Sequence, residues 1–183
     1  MRTIVTFITI LFCSSNLLAQ TNYYTETKVI NEADYAYHCK HTSIGYILLH
    51  DKENKLTYND LKYKDSGERY IPEDNEMDLL TDNGWIEFRK VFYAIMQRAF
   101  SEYEKTLLKI NHQDLYIDFY IDTETGKVHE IAFSFPKNSG YAFIPISVYR
   151  NIELQIKDKC RFGITEDGKR LNYIYYWDTY KFE

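Results

Sequence analysis

The stretch that decides the fold is Leu115-Tyr116-Ile117-Asp118-Phe119-Tyr120-Ile121-Asp122, then Thr123-Glu124-Thr125-Gly126, then Lys127-Val128-His129-Glu130-Ile131-Ala132-Phe133-Ser134-Phe135. In its first part Leu115, Ile117, Phe119 and Ile121 alternate with Tyr116, Asp118, Tyr120 and Asp122, the period of two that marks a strand with one buried face. Gly126 closes the turn, where a hairpin loop often needs positive φ. Val128 to Phe135 returns as the partner strand, with Ile131, Phe133 and Phe135 on one face. The segment predicts an antiparallel hairpin.

On the N-terminal side of the hairpin the period changes. Trp85, Phe88, Phe92, Met96, Ala99, Tyr103, Leu107 and Ile110 recur at three- and four-residue steps, with Lys90, Gln97, Ser101 and Lys105 opposite. This predicts one amphipathic helix of about seven turns, with Asp82 and Asn83 capping its first amides and Asn111-His112 ending it. On the C-terminal side, Ile144-Pro145 marks the entry to a second helix, whose apolar side is Val148, Tyr149, Ile152 and Ile156. Phe162 to Thr165 and Leu171 to Trp177, about the turn Glu166-Asp167-Gly168-Lys169, read as a closing hairpin.

Upstream, Tyr23 to Tyr70 is polar and tyrosine-rich. Alternation around Tyr35, Tyr37 and Cys39, the run Ile44 to His50 and the short run Leu56-Thr57-Tyr58 predict a small meander, turning at Asp51 to Asn54. Tyr63 to Asp78 reads as a charged loop. The expected fold class is α+β: an antiparallel sheet with a long amphipathic helix and a second, shorter helix packed on one face. Residues 20–183 are expected to form one domain, with the meander at about 23–70 and the helix-hairpin-helix-hairpin part at about 82–183.

The first nineteen residues carry the layout of a secretory signal peptide: Met1-Arg2, an apolar run from Ile4 to Phe12, and Leu17-Leu18-Ala19 before Gln20. The run is too short to span a bilayer, which takes about 20 apolar residues. Phe12 before Cys13 argues against a lipid-attachment cysteine. The mature protein is therefore expected in the periplasm or outside the cell, without a membrane span. Taking Arg2 from the 22 basic residues, against 27 acidic ones, gives the mature chain a charge of about −6. Nucleic-acid surfaces are basic, so that class is set aside. Two cysteines, Cys39 and Cys160, remain after cleavage. In an oxidising compartment they can pair or stay as two buried thiols, and the sequence leaves both open.

Motifs that carry chemistry are sparse. His38-Cys39-Lys40-His41, with His50 near it, is the most metal-like cluster, but on a strand His38 and Cys39 point to opposite faces. The acidic run Glu73-Asp74-Asn75-Glu76-Met77-Asp78 lacks the glycine and distal glutamate of a calcium loop. Asp118, Asp122 and Glu130 share a hairpin without a distinguishable acid and base. Neither a nucleophile elbow nor a His-Glu-x-x-His helix is present. No metal or other cofactor is expected. The best binding candidate is the aromatic tail, Tyr173, Tyr175, Tyr176, Trp177 and Tyr180, with Phe182 beyond it. Alternation along a strand requires that one set of these rings be core.

Four segments carry a family resemblance: Tyr116-Ile-Asp-Phe-Tyr-Ile-Asp, Thr125-Gly-Lys-Val-His-Glu-Ile-Ala-Phe-Ser-Phe, Ile144-Pro-Ile-Ser-Val-Tyr-Arg-Asn-Ile-Glu and Gly168-Lys-Arg-Leu-Asn-Tyr. With Tyr37-His-Cys and Asn54-Lys-Leu-Thr-Tyr, they make most of the mature chain resemble a family of secreted proteins of unknown function from gut Bacteroidetes. That family supplies no catalytic residues to carry over. More loosely, the part from Leu115 onward is similar to the C-terminal domain of TonB-type energy transducers, although the chain lacks their membrane helix and proline-rich spacer. The expected function is that of a non-catalytic exported domain that binds a protein or glycan in the cell envelope. The alternative is a small envelope hydrolase acting on glycans or peptides.

Overall fold

The structure, a computed structural model, describes residues 21–71, 79–111 and 113–182. The leader, Cys13 and the acidic run 73–78 lie outside the described residues. Six antiparallel strands form one sheet in the order β1-β2-β3-β5-β4-β6: β1 Lys28–Asn31, β2 Ala36–His41, β3 Tyr46–Asp51, β4 Leu115–Ile121, β5 Val128–Pro136 and β6 Ile174–Tyr180. The helices are α1 Asp82–Ala99, α2 Glu102–Asn111, α3 Ile146–Lys159 and the short α4 Glu166–Lys169. The fold is mixed α+β, as the sequence pattern predicts.

The hairpin β4–β5 is the centre of the sheet. Leu115, Ile117, Phe119 and Ile121 are fully buried, as are Ile131, Phe133 and Phe135 opposite them. Gly126 turns the chain at φ 67°, and a Cβ there would meet the Phe162 carbonyl at 2.0 Å, so both conformation and space demand glycine. Asp122 holds the same loop by accepting from Thr125 N (2.7 Å) and Thr125 Oγ1 (2.6 Å). On this inner face α1 sets Phe88 and Phe92 edge-on against Phe119, with ring centroids 5.1 and 5.8 Å apart. Tyr149 of α3 stacks on Phe135 at 5.6 Å. Each enclosed ring or Ile contributes roughly 1.5–3 kcal/mol of burial, which is why helix stripe and strand row find each other.

Four expectations are corrected, and the question left open for the cysteines is answered. The single long helix is two. Phe100 leaves α1 in an extended conformation and is buried, and a new helix starts behind Ser101. Ser101 and Glu104 form a capping box: the Glu104 carboxylate accepts from Ser101 N and Oγ (both 2.7 Å), while Glu104 N donates to Ser101 Oγ (3.3 Å). The phase changes across this break, so Leu108 is buried whereas Tyr103 and Ile110 are exposed. At the start of α1 the cap is Thr81, accepting from Gly84 N at 3.3 Å, rather than Asp82 or Asn83.

The strand expected at Leu56-Thr57-Tyr58 is absent, since Leu56–Tyr58 forms a single 3₁₀ turn; the third strand of the meander is β1, Lys28–Asn31, at the edge. The closing hairpin does not form either, because 166–169 is a helical turn capped by Thr165 and β6 pairs with β4 instead. Finally, Cys39 and Cys160 are buried free thiols. Cys39 sits opposite Leu49, which sits opposite Phe133, whereas Arg161 bridges Lys127. Six residues of β5 separate Phe133 from Lys127, about 20 Å of strand, far beyond the 7 Å or so that a disulfide spans.

Candidate functional site

Strand parity assigns the aromatic tail. Tyr176 and Tyr180 face the helices: Tyr176 stacks on Phe119 at 6.0 Å and accepts a hydrogen bond from Trp85 Nε1 at 2.8 Å, and Tyr180 lies edge-on to Phe92. Both are core. Tyr173, Tyr175 and Trp177 belong to the other, outer face, and only the last two of these border open space. Trp177 is 48% exposed.

The outer face has two halves. Over one, residues 52–63 cross as a strap. Its anchor is Glu130 of β5, whose carboxylate accepts from the backbone N–H groups of Lys55 (2.7 Å), Leu56 (2.8 Å) and Thr57 (3.2 Å). Asn54 Nδ2 donates to the Ile131 carbonyl at 3.0 Å, and Tyr173 OH to the Asn59 carbonyl at 2.6 Å. Under the strap His50 is fully buried, its Nδ1 against the Asp51 carbonyl (3.0 Å) and its Nε2 against Tyr58 OH (2.7 Å). Burial holds the His50 imidazole below its usual pKa, so it sits there neutral. Nδ1 then donates to the carbonyl and Nε2 accepts from the phenol.

Over the other half nothing in the described chain lies. A shallow groove of about 470 Å³ runs there, floored by Asp118, Tyr116 and Ser134, walled by Tyr46, Tyr175 and Trp177, and rimmed by Thr42 and Ile44, the last 79% exposed. The register explains the grouping: Trp177 is directly opposite Asp118, and Tyr116 opposite Ser134. Tyr46 meets Tyr116 edge-on at 5.9 Å. Tyr175 OH donates to Asp118 Oδ1 at 2.8 Å. Burial raises the Asp118 carboxyl above the usual carboxylate range, and the Tyr175 hydrogen bond opposes that shift.

Elsewhere, polar side chains hold the fold. Glu153 of α3 is fully buried and is met by the Tyr37 hydroxyl, Arg150 and Lys157. Arg150 also reaches Asp51 at 2.8 Å, tying α3 to β3. Breaking such a buried pair from one side is costly. His38 lies on the outer face and Cys39 on the inner one, while His41 Nε2 contacts the Tyr24 carbonyl at 2.9 Å. Among the described residues no three His, Cys, Asp or Glu side chains converge as metal ligands would. Sequence reasoning named Tyr175 and Trp177 but missed Tyr46, Tyr116, Asp118 and Ser134 as their neighbours. The outward positions of β4 and β5 carried that signal.

The fold and this groove define a class: an antiparallel sheet clad by helices on one face and half bare on the other. A family model described as a domain of unknown function, DUF5043, matches residues 20–177, and the chain belongs to that family. The crystal structure of a DUF5043 family protein from Bacteroides uniformis ATCC 8492 is similar at 31% identity, with a TM-score of 0.77 and 89% of each chain covered. That source fits the Bacteroidetes resemblance. The matches lend no support to the TonB-like one. No curated protein matches the chain. No described helix is long and apolar enough to cross a membrane.

Proposed function

We propose that the protein is exported and serves as a non-catalytic binding domain, holding a protein or glycan ligand of the cell envelope in the outer-face groove. The observation that carries this reading is the bare half of the sheet, where Trp177 and Ile44 stand exposed around an aromatic groove. Large exposed apolar groups gathered in one concavity are a feature of binding surfaces. The alternative, a small hydrolase, needs two converging carboxylates or an activated thiol. The groove presents one carboxylate, Asp118. Burial pushes the thiols of Cys39 and Cys160 up to about 11 and about 12, away from the nucleophilic thiolate.

The test is capture from envelope extracts, with mass spectrometry of what is retained. Trp177→Ala should lose the captured species. Ile86→Ala, which alters an exposed apolar residue of α1 far from the groove, should keep it. Equal capture by the two variants would refute the site. Intact mass from the native host tests export: the protein should lack Met1 to Ala19, and a mass that retains them would refute it.

A further inference from the structure

The identity of the groove's ligand follows from what surrounds Asp118, given the reading of the open half-face as a binding surface. We propose that the groove seats an alkylated ammonium head group of a small ligand, over Asp118 and between the rings of Tyr46, Tyr116, Tyr175 and Trp177.

Three observations carry it. First, the half-buried Asp118 lacks the compensation given to the other buried or half-buried acids of the sheet. Asp51 has Arg150 at 2.8 Å, Asp178 has Arg89 at 3.8 Å, and Glu130 has three backbone N–H groups. Asp118 has the Tyr175 hydroxyl, and none of the residues lining its groove is Lys, Arg or His. A carboxylate partly withdrawn from water with so little compensation carries a cost, and a cation entering the groove would supply what is missing.

Second, the walls are aromatic rings. The register sets the Trp177 ring beside Asp118, with Tyr116 two positions along β4 and Tyr46 packed against Tyr116. Several rings around one carboxylate form a cage for a weakly hydrated cation. Third, Tyr175 already donates to Asp118 Oδ1, which leaves that oxygen one acceptor site fewer for the paired N–H bonds of a guanidinium fork; the geometry favours a cation of diffuse charge that makes no directed pair of hydrogen bonds. The groove volume of about 470 Å³ suits a small head group.

The titratable groups that face Asp118 are Tyr116 and Tyr120 from its own strand, Tyr175 from β6 and Tyr46 from β3. On β5, Ala132 is directly opposite, with Ser134 on one side of it and the titratable Glu130, anchored in the strap, on the other; His50 of β3 lies beyond Ala132, under the strap. Among the residues that line the groove, Asp118 is the one carboxyl, and none is a histidine. Cation binding should weaken as pH falls and Asp118 takes up its proton.

The experiment is a titration of the protein with choline, with its neutral carbon isostere dimethylbutanol and with methylguanidinium, followed by the indole N–H resonance of Trp177. Choline should shift that resonance saturably and bind at least about tenfold more tightly than the isostere. Asp118→Asn, with a melting transition no lower than that of the wild type, should lose that preference. Equal binding of choline and isostere, a preference unaffected by Asp118→Asn, or tighter binding of methylguanidinium would overturn the proposal. Failure of choline while a neutral oligosaccharide shifts the Trp177 resonance would overturn the cation assignment and leave the binding face standing. No response to any probe, together with equal capture by the Trp177→Ala and Ile86→Ala variants, would sink both.

Discussion

The strapped and the bare halves of the outer sheet face are made of the same strands, β3 to β6, and of similar side chains, yet they use their carboxylates differently. In the strapped half Glu130 gathers three backbone N–H groups, Tyr173 and Tyr120 are buried, and His50 pairs with both a carbonyl and a phenol. In the bare half Asp118 has one phenol as partner, and Trp177 and Ile44 meet solvent. The contrast teaches that polarity satisfied within the chain contributes to stability, whereas polarity left under-compensated beside exposed rings is available to a ligand. Mutations can break or sharpen this division.

The largest effect should come from the inner face that supports both halves. Phe92→Ala removes a fully buried ring of α1 and is expected to cost about 3–5 kcal/mol in a denaturant melt. The exposed Lys90 on the same helix, changed to Ala, should stay within about 0.5 kcal/mol of neutral. Next comes the strap: Glu130→Ala strands three N–H donors and should cost about 1–3 kcal/mol. A smaller loss, about 0.5–1.5 kcal/mol, is expected for Tyr58→Phe, which takes from His50 the hydroxyl proton that Nε2 accepts. In the bare half, Trp177→Ala should leave stability within about 0.5 kcal/mol, because its ring already stands in solvent. A loss at Trp177 as large as at Glu130 would erase the distinction between the halves.

Acidity gives a further handle on the same contrast. The carboxyl of Asp118 is raised in the folded state, chiefly by burial, so the native protein holds that proton more tightly than the unfolded chain. Its contribution to stability is therefore present at low pH and falls as pH rises through the raised value. Stability measured against pH for the wild type and Asp118→Asn should show the wild type losing ground relative to the variant from acid toward neutral pH. Parallel curves would mean that Asp118 titrates as an ordinary surface carboxylate.

The inward rows of β4 and β5 were legible because alternation is local: Leu115 to Ile121 announces its own buried face. The same parity separates Tyr176 and Tyr180 from Tyr175 and Trp177 once β6 is placed. The break between α1 and α2 was less visible. Apolar residues continue at helical spacing through Phe100, and the capping box Ser101-Glu102-Tyr103-Glu104 was overlooked within that continuous stripe. The strap could not be read locally at all. Leu56-Thr57-Tyr58 looks like a strand, but it is set by a carboxylate more than seventy residues away, a tertiary contact overriding local preference. For the same reason the groove was half seen: Trp177 and Tyr175 stand out in the tail, whereas Asp118, Tyr116 and Ser134 become their neighbours only through the β4–β6 and β4–β5 registers.

The central claim, that one half of the outer face is held for structure and the other is free for a ligand, meets its most direct test in two near-isosteric changes measured side by side at neutral pH. In equilibrium denaturation, Glu130→Gln should lose about 1 kcal/mol, since a neutral amide oxygen replaces a carboxylate that serves three N–H groups. Asp118→Asn should lose none and should gain, because the Tyr175 hydroxyl keeps an acceptor and the partly desolvated charge is gone. Losses of similar size at both positions would contradict the account, for Asp118 would then be as structural as Glu130.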